Sequence, residues 1–172
     1  MTTDPADNRA RPNPTDGERK QLEGWLDYHR ETLALKCAGL DDAQLRARSA
    51  PPSPITLLGL VRHMAEVERG WFVSVFGGEP AAPLYCTEDR PDRDFECEPG
   101  DTTEEAFATW REQIALARST AAGRDLAETS PDPLTGERYS LRWVHLHMIE
   151  EYARHNGHAD LVRERIDGAT GM

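Results

Sequence analysis

The chain has 172 residues, 30% of them charged, with a formal net charge of −11, and that length suffices for one domain with a real core. So acidic a surface repels a nucleic-acid backbone and an anionic membrane alike, and neither is expected as a partner. Three cysteines without CxxC spacing, no leader-like apolar start and no apolar run of about 18 residues argue against a disulfide framework, a thiolate zinc site and a membrane span, and point to a cytoplasmic protein.

Residues 1–14, MTTDPADNRARPNP, hold three prolines and almost nothing apolar, and are expected to form a disordered tail before a single domain over 15–172. A helical pattern begins at about Thr15, carries Leu22, Trp25, Leu26, His29 and Leu33 on one broad face, and stops near Gly39. The connector LDDAQLRARSAPPSP contains one short turn capped by Asp41. A second helix is predicted from about Pro54 to Phe76, with Ser53 as N-cap and Gly77-Gly78 as its stop. Its seam is Leu57, Leu60, Met64, Val67, Trp71 and Val75. Residues 79–101 form a long loop, and residues 86–105 carry nine acids against two arginines, which reads as solvated surface. A third helix, capped by Asp101 or Thr102, carries Phe107, Trp110, Ile114 and Leu116 and ends at Gly123. SPDPLTGERYS is a turn-rich connector, and the last helix runs from about Ser140 to Ile166, stopped by Gly168. No stretch alternates with period two for long enough to predict a strand. The fold class is therefore all-α, a four-helix bundle with one long crossover loop.

The last helix puts charge where its core should be. Val144, Met148, Glu151, His155, His158 and Val162 advance by four and three residues, so Glu151 and His158 sit roughly 40° and 60° to one side of His155 on the apolar face. An unpartnered buried carboxylate is costly, and three such side chains in one stack need a compensating group. Residues four apart on a helix are about 5–6 Å apart at Cβ, and two such side chains can converge on a divalent ion. His147 with Glu151 has the same spacing. One helix cannot fill a tetrahedral site, and the second helix offers His63 beside Leu60 and Val67. Three protein ligands leave a position open, the catalytic pattern of zinc, and a donor set without thiolate also admits nickel or iron. Singly, each residue has a blander reading, His63 as a half-exposed helix residue and the E-x-x-x-H pair as a surface contact.

The blocks SPITLLGLVRHMAEVERGWFVSVFGGEP and SLRWVHLHMIEEYARHNGHADLVRERIDG resemble the DinB/YfiT-like superfamily of metal-dependent four-helix bundles. The likeness covers roughly residues 18–168 and is closest to the actinobacterial branch of mycothiol-dependent transferases, similar in layout to mycothiol-dependent maleylpyruvate isomerase. Two lysines against 18 arginines, a GC-rich codon signature, agree with that branch. The resemblance implies a divalent metal held by His63, Glu151 and His155, with Glu151 standing where many relatives have histidine. His158 is an addition one turn on: it replaces Glu151 as a ligand, supports a ligand from behind, or serves as a base.

The activity implied is a thiol S-transferase, in which a metal ion activates mycothiol for attack on an electrophile, a detoxification chemistry. Arg154 and Arg62 neighbour the ligands in sequence and could hold a substrate carboxylate. A metal-dependent hydrolase and a non-catalytic, stress-related metal-binding bundle are the rival readings. Trp71, Phe72 and Phe76 either pair two copies into a homodimer or pack within one chain.

Overall fold

Side-chain oxygens decide where most of the helices start. The computed structural model describes residues 9–171. Helix α1, Glu18–Cys37, begins at Gly17 without a side-chain cap and has Glu18 in its first turn and Lys36 in its last, both suited to its dipole. Helix α2 is one turn, Asp42–Leu45, closed reciprocally: Gln44 N donates to Asp41 Oδ1 at 2.8 Å and Asp41 N donates to Gln44 Oε1 at 3.0 Å. Helix α3, Leu57–Glu68, starts later than the predicted Pro54. Thr56 caps it, accepting from Gly59 N at 3.0 Å, while Ser53 Oγ accepts from Ile55 N in the extended stretch before it.

The predicted second helix does not stay α to its end. From Arg69 to Phe76 it widens into π-helical winding, with Gly77 N donating to Phe72 O at 3.0 Å. Glycine, valine and aromatic residues in RGWFVSVF hold an α-helix weakly. The wider winding buries Phe72 and Phe76, which removes both from any contact between copies, and leaves Trp71 half-buried on the flank.

Helix α4, Thr103–Ala121, is capped by Thr102, whose Oγ1 accepts from Glu105 N at 3.1 Å, and Asp101 turns instead to Arg62 and Arg93. Leu116, expected in its seam, faces outward, and Ala106, Gln113 and Ala117 line the core. Helix α5, Leu141–Asp167, begins at Ser140, whose Oγ accepts from Trp143 N at 3.2 Å. It ends at Gly168, whose φ of 77° suits glycine. The connector before α5 is not turns alone: strands β1, Thr129–Pro131, and β2, Arg138–Ser140, pair antiparallel with Thr129 opposite Ser140. Strands so short leave no alternation to detect.

In the bundle, α1 lies against α5 and α3 against α4, and α3 also meets α5. A polar chain crosses the apolar centre. Arg30 of α1 donates from Nε and Nη2 to the two Glu68 carboxylate oxygens, both at 2.7 Å. Tyr152 of α5 donates to Glu68 Oε1 at 2.8 Å, and Trp110 of α4 donates to the Tyr152 hydroxyl at 2.9 Å. Because each member is satisfied only when four helices meet in this register, the network penalises other packings.

Of the expected tail, residues 1–8 lie outside the described residues. Residues 9–14 run along α1: Arg9 donates to Thr32 Oγ1 at 2.6 Å, and the Arg9 and Arg11 guanidiniums stand 4.5 and 5.6 Å from the Tyr28 ring centroid. Among the described residues no helix is long and apolar enough to cross a membrane.

Candidate metal centre

His63 projects from α3, and Glu151 and His155 from one face of α5. One donor atom from each lies within 4.8 Å of the other two, and a small closing of the side chains brings such a set to the roughly 3.3–3.6 Å between donors of a tetrahedral ion with bonds of about 2.0–2.2 Å. His155 Nε2 is 3.4 Å from Glu151 Oε2, and the His63 and His155 ring centroids are 4.5 Å apart. The three side chains are shielded without being sealed, at 20%, 20% and 10% exposure.

The loop over residues 79–101 orients His63 of this trio, and α3 clamps the loop from two successive turns. The Glu66 carboxylate accepts from the backbone N–H of Leu84, Tyr85 and Cys86 at 2.8–3.4 Å. Arg62, buried, donates to the Asp94 and Arg93 carbonyls at 3.1 and 3.2 Å, pairs with Asp101 and lies 4.2 Å over the Tyr85 ring. Gly59 admits the close approach, since a Cβ there would stand 3.0 Å from the Phe95 carbonyl and 3.3 Å from Phe95 Cα.

This clamp delivers Asp94 to the back of His63. Asp94 is 4% exposed, in contrast to the solvated surface expected of its acidic run. His63 Nδ1 donates to Asp94 Oδ2 at 2.7 Å, and Phe95 stacks on the imidazole at 4.4 Å. With its Nδ1 proton held there, His63 has its lone pair on Nε2, the state a ligand requires. Asp94, Phe95 and Glu66 carry no signal in the sequence, because no helical spacing relates a loop to the helix it covers.

His155 is kept neutral. Burial first, then the neighbouring His63 and His158 imidazoles, pulls its pKa down to about 4. Its Nε2 faces Glu151 and its Nδ1 meets His158 Nδ1 at 3.4 Å, on the other side of the ring. His158 therefore stands behind His155 and outside the trio. Of the two arginines expected to meet substrate, Arg154 is exposed on α5 and Arg62 is committed to the loop.

The mycothiol S-transferase family profile matches residues 21–168, a span that holds the whole trio and its clamp. The chain belongs to the mycothiol S-transferase family. No curated protein matches it at a significant level. For a mycothiol S-transferase the donor set is chemically apt: two imidazoles and one carboxylate suit zinc, and also nickel or iron. The thiols Cys37 and Cys86 are not activated, since burial pushes them up to about 12 and about 11.

A cavity of about 900 Å³ lies elsewhere in this transferase-family chain, between α1 and the C-terminal end of α4, and none of the trio lines it. Its charged groups are paired within the protein, Arg142 with Glu18, Arg19 with Glu23, Arg30 with Glu68 and Arg124 with Glu128. The convergent donors, not the cavity, offer a metal-binding group.

Proposed function

We propose that this mycothiol S-transferase is metal-dependent, with His63, Glu151 and His155 holding one divalent ion, zinc in preference to nickel or iron. The observation that carries this reading is the convergence of three donors from two helices, with Asp94 bracing His63 from behind. A bound cation supplies positive charge that lowers the pKa of a coordinated thiol, so that mycothiol reacts as a thiolate near neutral pH.

The chain's own residues prepare that site. Asp94 fixes the tautomer of His63, and burial keeps His155 unprotonated. With its lone pair on Nε2, His155 carries its proton on Nδ1 and directs it at His158. His158 is read as a positioning residue for His155, the supporting role among the three expected of it. Glu151, within the trio, is the third ligand in preference to His158. Arg154 is exposed on α5, and its positive charge helps keep His155 unprotonated. The high pKa of Cys37 and Cys86 supports a nucleophile brought by the co-substrate. Free thiols suit a reducing cytoplasm, where joining mycothiol to an electrophile is a detoxification step.

The test is elemental analysis of the purified protein together with thiol consumption in the presence of an electrophile. One transition-metal equivalent per chain is expected, lost with activity in His63→Ala while the fold is retained. Full turnover without thiol would make the protein a hydrolase. Retention of the ion in His63→Ala would remove the trio, and loss of folding together with the ion would make the metal structural.

A further inference from the structure

One flank of the metal centre is walled with rings. His147 and Trp143 follow Glu151 at one and two turns back along α5, about 6 and 12 Å along the axis. His147 Nε2 is 3.5 Å from Glu151 Oε1, and its imidazole stacks on Trp143 with centroids 4.8 Å and planes 12° apart. Trp71, from the π-helical segment, meets His147 at 4.5 Å and Trp143 at 5.0 Å. Tyr139 of β2 completes the group, 4.6 Å from Trp143 and 5.4 Å from Trp71. The π-helical winding, the hairpin and the start of α5 thus converge on a surface that begins at a metal ligand.

This wall is not core. Trp143 is 40% exposed, and Trp71 and Tyr139 are half-buried. Three acids touch its rings: Glu150 and Glu151 beside His147, and Glu137, which accepts from the Tyr139 hydroxyl at 2.6 Å. Arg62, the buried guanidinium next to His63 in sequence, is committed to the loop. The surface therefore offers π faces bordered by negative charge, which favours a flat neutral group and disfavours a carboxylate.

We propose that this wall is the electrophile subsite and that it selects planar, conjugated, uncharged electrophiles over compact aliphatic ones. The inference rests on the reading of the same site as a metal-dependent thiol transferase. The substrate ring packs along the wall from Trp143 to His147, leaving its reactive carbon toward Glu151. Monobromobimane, planar and neutral, and iodoacetamide, compact and neutral, react by the same displacement. The thiol sulfur bonds to the methylene carbon, the carbon–halogen bond breaks, halide leaves with the bonding pair, and the thiol proton passes to solvent.

The experiment compares kcat/KM for the two electrophiles, with mycothiol, in the wild type, Trp143→Ala and Trp143→Phe. A second arm measures binding of an inert bimane lacking the leaving group, by quenching of tryptophan fluorescence. Trp143→Ala is expected to lower the bimane-to-iodoacetamide ratio about five- to tenfold, chiefly through KM, and to weaken inert bimane binding similarly. Trp143→Phe should recover most of both. An unchanged ratio, or inert bimane bound by Trp143→Ala as tightly as by wild type, overturns the proposal. If the wild type binds inert bimane through Trp143 yet accelerates neither reaction, the wall stands and the transferase reading fails. Should Trp143→Ala not fold, Trp143→Leu keeps bulk without a π face and provides the same comparison.

Discussion

Asp94 is the residue that sets His63, a half-buried helix histidine, in the tautomer that the proposed metal donor needs. Its carboxylate fixes the imidazole by one bond at 2.7 Å and is itself anchored by Phe95 N at 3.0 Å on Oδ1. Supporting carboxylates of this kind typically change metal affinity by about 10–100-fold. Asp94→Asn is therefore expected to weaken zinc affinity by about that factor, measured by competition with a chromophoric chelator. Thermal unfolding of the metal-free variant should move far less than zinc affinity. His158, by contrast, touches His155 and not the proposed ion, so its replacement should reduce zinc affinity less than replacement of either proposed histidine ligand.

The clamp between α3 and its loop depends on a missing side chain. At Gly59 a Cβ would press the backbone of Phe95 at 3.0–3.3 Å, and that backbone carries Asp94. Gly59→Ala should destabilise the protein by about 1–3 kcal/mol and weaken zinc binding as well, read from urea unfolding and the same chelator titration. Gly157, exposed on α5 with nothing near its added Cβ, is the internal control. There alanine should stabilise by roughly 0.5–1 kcal/mol through helix propensity. Helix identity and most stops were legible in spacing and caps: Asp41 and Ser140 cap α2 and α5, and Gly168 ends α5. The π-helical winding and the hairpin were not. Both are stabilised by neighbours across the fold, Tyr139 meeting Trp71 and β1 meeting the π-helical segment, rather than by any local pattern.

The bundle as a whole holds several neutral histidines, and this sets its response to acid. His145 is buried against Phe72, its Nδ1 donating to the Leu141 carbonyl at 3.0 Å, and burial lowers its pKa from the usual 6.5. The folded state takes up that proton less readily than the unfolded chain. Stability is therefore full above about pH 6.5 and declines as the pH falls below it. His29 and His155, also lowered by burial, add to the same slope. Urea unfolding of metal-free protein near pH 7 and near pH 5 should show a smaller loss in His145→Gln than in the wild type, because one of the three groups no longer titrates.

Spacing along the chain was enough for an all-α fold, a polar stack on α5 and a histidine on α3 able to answer it, since helical periodicity and capping act over a few residues. It left open whether Glu151 or His158 stands with His155, and it gave Arg62 a substrate to hold. The packed bundle puts Glu151 in the trio and His158 behind it, ties Arg62 to the loop, and brings Asp94 to a histidine 31 residues away. Those outcomes depend on where a loop's backbone travels once α3 and α5 are side by side. No rule of local spacing contains that path.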